Sequence, residues 1–167
     1  MSYSFYLSLN LSLASFAFCT TISLAQVPVT PHKSPESLLV SGDAITATNK
    51  RLVYDFYRIV VRGGQLDQVD RFLSDSYIQH NPNVPTGKDG FVKFFKSKRG
   101  KQTKRNSVPK ALDDLVAIIA EQDIVTAAFV ANRQEMDLNY TTTWFDMFRI
   151  KEGKIVEHWD NSLRSHP

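Results

Sequence analysis

Apolar residues follow two different spacings along this chain. In the first half they recur every three or four residues, as on one face of a helix. After Asp43, a residue suited to a helix N-cap, the positions of Val53, Phe56 and Val60 predict a helix that ends at Gly63–Gly64. Two shorter helices are predicted to follow, one with Leu66, Val69, Phe72 and Leu73 on its buried face and one with Phe91, Phe94 and Phe95.

The second half is rich in Val, Ile, Phe, Thr and Trp, which is typical of β-strands. Polar turn residues divide it into four predicted strands, at residues 111–120, 124–134, 141–150 and 154–162. A short extended piece, Tyr77 to His80, is predicted before the third helix. Helices followed by strands indicate an α+β fold, with three N-terminal helices packed on a curved antiparallel sheet. We expect a small-molecule pocket between the two layers.

The N-terminal segment predicts export. Its first 26 residues contain no charged side chain, and Ser23 and Ala25 have the small-residue spacing of a signal-peptidase site. We therefore predict a signal peptide over residues 1–25 and a periplasmic or secreted protein. An uncleaved membrane anchor is the alternative, although the Ser-rich apolar stretch is short for a span of about 20 residues. Residues 26–42 are predicted as a linker or flexible arm, and residues 43–163 as the folded domain.

Composition and charge exclude several classes of protein. The chain has 167 residues, 43% of them hydrophobic, and a formal net charge of +3, which is typical of a single globular domain. The only cysteine, Cys19, falls in the predicted signal peptide, so a mature chain would have no disulfide and no thiol nucleophile. The four histidines lack the spacing of a zinc motif and no glycine-rich phosphate loop occurs, so no metal and no cofactor are predicted.

A basic cluster between Lys93 and Lys110 raises the question of nucleic acid. The aromatic residues within it, Phe94 and Phe95, are assigned by their helical spacing to the core rather than to base stacking. Export also separates the protein from nucleic acid. We therefore predict a solvated helix end and loop at this cluster, and no nucleic-acid partner.

The last hairpin can pair in two registers. A two-residue loop, Glu152–Gly153, places Asp146 opposite Trp159, whereas a three-residue loop with a left-handed Gly153 places Asp146 opposite His158. Glycine at the third loop position favours the second register, because only glycine adopts positive φ without strain. One face of the hairpin then carries Trp144, Asp146, Phe148, Val156, His158 and Asp160, and the other carries Phe145, Met147, Arg149, Ile155, Glu157 and Trp159.

The first of these faces combines two carboxylates and an imidazole with apolar side chains. Carboxylates in a half-apolar pocket are suited to act as a general acid or base near neutral pH. Solvated strand residues, or a structural contact between His158 and an aspartate, are the alternative. Three ionisable groups on one face favour a functional site.

Several motifs of the chain resemble a known family. They are Tyr77-Ile78-Gln79-His80-Asn81-Pro82, Gly87, Gly90-Phe91 and the two strands of the last hairpin. Together they resemble the SnoaL-like polyketide cyclase group of the NTF2-like superfamily, over about residues 45–162. The resemblance implies a conical α+β barrel with a deep pocket, often dimeric through the sheet. It also implies aldol chemistry without a metal, by an Asp on the last strand that corresponds to Asp160 and a partner that corresponds to Asp146.

These observations lead to a hypothesis about the site. We predict Asp160, Asp146 and His158 as catalytic residues, and His80, Trp144, Tyr57 and Phe148 as substrate-binding residues. The predicted function is cofactor-independent aldol condensation or isomerisation of a small carbonyl compound, by a protein that forms a homodimer. The alternative is a domain that binds a small hydrophobic ligand without turnover. Water addition to an epoxide would need Arg149 between two aspartates, and the preferred register points Arg149 away from them.

Overall fold

The helical layer lies N-terminal to most of the sheet. The structure, a computed structural model, describes residues 26–99 and 107–165, and the predicted signal peptide lies outside them. The three predicted helices are present as α1 (Ala44–Asp55), a 3₁₀ helix (Leu66–Arg71) and α2 (Lys88–Arg99). Asp43 caps α1, since its side chain accepts a hydrogen bond from the Thr46 amide at 2.8 Å. Helix α1 continues directly into a π-helical segment, Phe56–Arg62.

A five-stranded sheet covers this layer. Its strands follow one another in space as β1-β5-β4-β3-β2. They are β1 (Leu73–Gln79), β2 (Leu115–Glu121), β3 (Ile124–Glu135), β4 (Leu138–Lys151) and β5 (Lys154–Asp160). The predicted α+β cone is confirmed, with one correction, because β1 runs parallel to β5 and the sheet is antiparallel only over β2–β5. No hairpin joins β1 to β5, so no turn imposes an antiparallel direction on this pair.

The register of the last hairpin differs from both predictions. Its loop is the two-residue one, Glu152–Gly153, with φ values of 52° and 70°. Two positive φ values are what a type I′ turn requires. A β-bulge at Val156 then shifts the pairing by one residue, so that Asp146 lies opposite Asp160. The preferred three-residue loop was therefore wrong, as was the placement of Ile155, which is fully buried in the core.

Phe56 connects the three parts of the core. Its ring lies 5.9 Å from that of Phe72, 5.6 Å from that of Phe91 on α2, and 6.1 Å from that of Phe148 on β4. All four residues are buried. Such aromatic pairs contribute about 0.5–1.5 kcal/mol each beyond the burial of their area. This cluster fixes the end of α1 against the sheet, where the π-helical segment begins.

Residues 26–42, which the sequence predicts as a linker or flexible arm, lie against the domain. The His32 amide donates to the Leu115 carbonyl at 2.7 Å, and a 3₁₀ helix, Pro35–Leu39, buries Leu39 in the core. The Nζ of Lys50 donates to two backbone carbonyls at the end of that helix, each at 2.7 Å. Among the helices of residues 26–99 and 107–165, none has both the length and the apolar character that crossing a membrane requires.

Candidate active site

A cavity of about 410 Å³ opens between the helical layer and the concave face of the sheet. This volume falls within the range of about 300–1,000 Å³ that is usual for small-molecule sites. Six of the seven predicted site residues line it: Tyr57, Trp144, Asp146, Phe148, His158 and Asp160. The hairpin brings the three ionisable groups together because Asp146 and Asp160 are cross-strand partners and His158 is two residues from Asp160 on the same face.

The π-helical segment supplies the opposite wall. Phe56, Tyr57, Val61 and Arg62 of this segment all line the cavity. In an α-helix, residue i+5 is rotated by about 140° from residue i, whereas the wider π-helix brings it closer to the same direction. Accordingly, the guanidinium of Arg62 lies 5.9 Å from the ring centre of Tyr57. A sequence pattern read with helical periodicity does not anticipate this neighbour.

The seventh predicted residue, His80, is not among the residues that line this cavity, and its assignment to substrate binding stays a prediction. Its ring stacks on Trp159 at 5.2 Å, and its Nε2 lies 2.8 Å from Oε1 of Glu157. Alternation along β1 explains its position, since Tyr77 and Gln79 point inward and His80 continues the opposite face. In this segment the cavity-lining residues not predicted from the sequence are Tyr77, Gln79 and Asn81, and strict alternation counted from buried Tyr77 would have found Gln79.

The hydrogen bonds of Gln79 determine where His158 carries a proton. The Asn81 amide donates to Oε1 of Gln79 at 2.9 Å, which identifies that atom as the oxygen of the side-chain amide. Nδ1 of His158 lies 2.7 Å from the same oxygen. Because an amide oxygen only accepts, Nδ1 of His158 must be the donor and must carry hydrogen.

The proton on Nδ1 also determines the protonation of the contact between His158 and Asp146. Nε2 of His158 lies 2.9 Å from Oδ1 of Asp146, and the two side chains are only 9% and 5% exposed. With Nδ1 already protonated, this contact needs a second proton, either on Nε2 or on the carboxyl. The buried pair therefore shares one proton and has no net charge. A buried ionic pair that is also hydrogen-bonded avoids the cost of an unpaired buried charge.

Asp160 is held differently. Its Oδ2 accepts a hydrogen bond from Nδ2 of Asn81 at 2.6 Å, and its Oδ1 accepts one from the Ser162 amide at 2.9 Å. Both oxygens thus act as acceptors, as those of an ionised carboxylate do. No cation of the described residues pairs with Asp160, so it is the carboxylate of the cavity with an uncompensated charge.

Two buried tyrosines border the carboxylates. Burial, followed by the charge of Asp146 and a hydrogen bond to it, raises the pKa of Tyr57 well above its usual value. Burial, followed by the charges of Asp146 and Asp160, also raises the pKa of Tyr77. Both phenols therefore stay protonated near neutral pH. The Tyr77 oxygen accepts from Nε2 of Gln79 at 3.0 Å, and no described residue accepts the proton of Tyr77.

Arg149 points to the outer face of the sheet, as the sequence analysis expected. Its guanidinium binds Asp123 at 2.8 Å and Glu157 at 3.1 Å, and it lies over the ring of Trp159. The Asp–Arg–Asp arrangement needed for water addition to an epoxide is therefore not formed by this arginine.

Asp146, His158 and Asp160 together have the spacing of a metal site. One donor atom each from Asp146, His158 and Asp160 lie within 4.8 Å of one another. Two carboxylates and an imidazole are ligands for a divalent cation such as Zn²⁺ or Fe²⁺. Binding would require the proton between His158 and Asp146 to leave, whereas the Asn81 bond to Asp160 could remain, since a carboxylate oxygen that accepts one hydrogen bond keeps a lone pair for a cation.

Comparison with known proteins identifies the family of this chain. The SnoaL-like domain family matches residues 53–158, which is more than half of the chain. The chain belongs to the SnoaL-like domain family, within the NTF2-like superfamily. Among curated proteins no match is found.

Solved structures share the fold at low sequence identity. IdmH, a proposed polyketide cyclase from Streptomyces antibioticus, aligns with a TM-score of 0.51 and 17% identity over 67% of this chain and 89% of IdmH. A proposed polyketide cyclase from Xanthomonas campestris pv. campestris aligns with a TM-score of 0.50 and 19% identity over 68% and 88% of the two chains. A proposed polyketide cyclase from Acidithiobacillus ferrooxidans aligns with a TM-score of 0.50 and 15% identity over 71% of this chain and 89% of that protein.

The buried pair makes a testable contribution to stability. We expect Asp146→Ala and His158→Ala each to lower the free energy of unfolding by about 3 kcal/mol, because either change leaves the other group buried without its partner. The double variant should lose about 2 kcal/mol less than the sum of the two single losses. Urea denaturation measures all four proteins of the cycle.

The exposed contact between His80 and Glu157 provides the control cycle, since its imidazole–carboxylate distance of 2.8 Å is similar. We expect His80→Ala and Glu157→Ala to be additive within the error of the measurement. Additive losses for Asp146 and His158 as well would contradict a pair that shares a proton.

Proposed function

We propose that this SnoaL-like protein is exported and catalyses acid/base chemistry on a small carbonyl compound, with Asp160 as the base. The observation that carries the proposal is the contrast between two adjacent aspartates in one cavity. Asp146 shares a proton with His158, whereas Asp160 accepts hydrogen bonds from two donors and forms no ion pair with any described residue. Neighbouring groups placed in different environments are how a site separates a base from an acid.

The first chemical step can be written with the residues present. Asp160 takes a proton from the carbon next to the carbonyl, and the electron pair of that C–H bond forms a carbon–carbon double bond. The carbonyl electron pair moves onto oxygen and gives an enolate. Aldol condensation and isomerisation both begin with this step, so it does not depend on which of them follows.

Tyr77 is suited to stabilise the enolate oxygen. It lines the cavity close enough to Asp146 and Asp160 for both charges to raise its pKa, and no described residue accepts its proton. A preorganised donor of this kind typically contributes a factor of about 100 to 1,000 in rate. His158, which the sequence predicts as a catalytic residue, directs both ring nitrogens to protein partners.

A binding domain without turnover is the second candidate. Its support is the apolar wall of the cavity, to which Phe94, Phe95, Phe129 and Trp144 contribute. In that case the polar groups would only orient a ligand, and Asp160→Asn would leave the ligand's affinity nearly unchanged.

Hydrogen–deuterium exchange separates the two candidates without knowledge of the natural substrate. The probe is 2-acetylnaphthalene in D₂O, and proton NMR follows the loss of its methyl signal. We expect the protein to accelerate exchange and Asp160→Asn to slow the catalysed rate by about 100-fold or more. Tyr77→Phe should slow it by a smaller factor, because the phenol assists but does not remove the proton.

Glu157→Gln is the matched control, because it removes a carboxylate from the same strand but from the outer face. Its exchange rate should equal that of the unmodified protein. Exchange at the buffer rate in the unmodified protein, or an equal rate in Asp160→Asn, would contradict the acid/base proposal. Equal stabilisation of both proteins by the ketone without exchange would support the binding domain.

We also propose that the outer face of the sheet forms a homodimer. Paired residues on four strands form a row across that face: Ile119, Thr126, Met147 and Trp159. Ile119 is 67% exposed and Met147 is 37% exposed, and Phe145 beside the row is 50% exposed. An apolar strip of this kind on an otherwise charged surface is typical of an interface.

Light scattering after size-exclusion chromatography tests the dimer. We expect a dimer for the unmodified protein and a monomer for Met147→Glu, which would bury a carboxylate in the interface. Met136→Glu is the control, since Met136 is 88% exposed at the turn between β3 and β4. A monomeric unmodified protein would exclude the proposed interface.

A further inference from the structure

Two guanidinium groups, those of Arg62 and Arg133, lie over a pair of neighbouring aromatic rings in the cavity wall. Phe129 on β3 and Trp144 on β4 are cross-strand partners, and both rings line the cavity. The guanidinium carbon of Arg62 lies 5.5 Å from the ring centre of Phe129, and that of Arg133 lies 5.8 Å from a ring of Trp144. The π-helical segment and β3 thus place one arginine each over adjacent aromatic rings of the cavity wall.

The charges of these arginines are only partly compensated. Arg62 forms an ion pair with Asp114 at 2.6 Å, but its buried Nε has no hydrogen-bond partner among the described residues. Arg133 is exposed at the rim of the cavity and forms no ion pair with any described residue. Within residues 26–99 and 107–165, no carboxylate therefore compensates the charge of Arg133.

The cationic layer, formed by Arg62 and Arg133, is adjacent to the acidic layer, formed by Asp146 and Asp160. Trp144 precedes Asp146 by two residues on the same face of β4, a separation of about 7 Å along the strand. A molecule lying along β4 would therefore have one end over the two arginines and the other beside Asp146 and Asp160. Between these ends the cavity presents apolar and aromatic side chains.

We propose that the cavity binds an organic anion, with its acidic oxygen group held by Arg133 and supported by Arg62 over the Phe129–Trp144 pair. A guanidinium donates two parallel hydrogen bonds to such a group, and its position on an aromatic ring holds it in place. The apolar body of the ligand then extends toward Asp160. The inference rests on the proposed function only in regarding this ligand as the substrate, which would be a carbonyl compound that also carries an acidic group.

Two fluorescent probes with the same ring skeleton test this proposal. One is 8-anilinonaphthalene-1-sulfonate, and the other is N-phenyl-1-naphthylamine, which lacks the sulfonate. We expect the unmodified protein to bind the sulfonate more tightly than the neutral amine. Arg133→Gln should weaken binding of the sulfonate by about tenfold or more and leave that of the amine within about twofold. The affinity of Arg133→Lys for the sulfonate should lie between those of the unmodified protein and Arg133→Gln, because lysine keeps the charge but lacks the planar guanidinium.

Arg51→Gln is the control, since Arg51 also lies over an aromatic ring, that of Tyr54, but outside the cavity. It should bind both probes as the unmodified protein does. Equal losses of both probes in Arg133→Gln, no loss, or the same selective loss in Arg51→Gln would each overturn the anion site. Asp160→Asn should retain the preference for the sulfonate, so this test does not depend on whether Asp160 acts as a base.

Discussion

One side-chain oxygen determines the chemistry of the cavity. Oε1 of Gln79 accepts from the Asn81 amide at 2.9 Å and from Nδ1 of His158 at 2.7 Å. The first bond identifies the atom as oxygen, and the second then fixes a proton on Nδ1. Because Nδ1 already carries hydrogen, the contact between Nε2 of His158 and Asp146 needs a second proton, and the pair as a whole has no net charge. The charge of the acidic layer therefore resides on Asp160.

The fold provides this constraint through the pairing of β1 with β5, in which Gln79 lies beside His158. A parallel edge strand thus has a function besides completing the sheet. It carries Tyr77, Gln79 and, just beyond its end, Asn81 to the cavity, while His80 stacks on the outer face. Gln79 binds His158 and Asn81 binds Asp160, while Tyr77 places a phenol in the same cavity.

The hairpin illustrates what a sequence can predict. The α+β class and the positions of four strands followed from alternation and turn residues. The cavity-facing set Trp144, Asp146, Phe148, His158 and Asp160 was also identified, although the assumed register was wrong by two residues. A register shift of two residues leaves each side chain on the same face of the sheet, so the predicted cavity-facing residues stayed the same. The bulge at Val156 has no sequence signal of its own, which is why Ile155 was assigned to the wrong face.

The π-helical segment and the edge strand were beyond sequence reasoning for a different reason. Arg62 approaches Tyr57 only because the helix widens there, and Gln79 meets His158 only because strands distant in sequence pair. Both contacts depend on tertiary structure. The cation layer and the acid layer of the cavity thus arise from elements whose local sequence gives little indication of them.

The protonation state of the His158 ring can be measured directly. Nitrogen-15 NMR of the labelled protein at neutral pH reports which ring nitrogens carry hydrogen, with exposed His80 as an internal reference. We expect a proton on Nδ1 of His158 that exchanges with water more slowly than those of His80, because His158 is buried and its acceptor Gln79 is half-buried. A His158 ring with hydrogen on Nε2 and none on Nδ1 would contradict this expectation, since Gln79 would then not orient the pair.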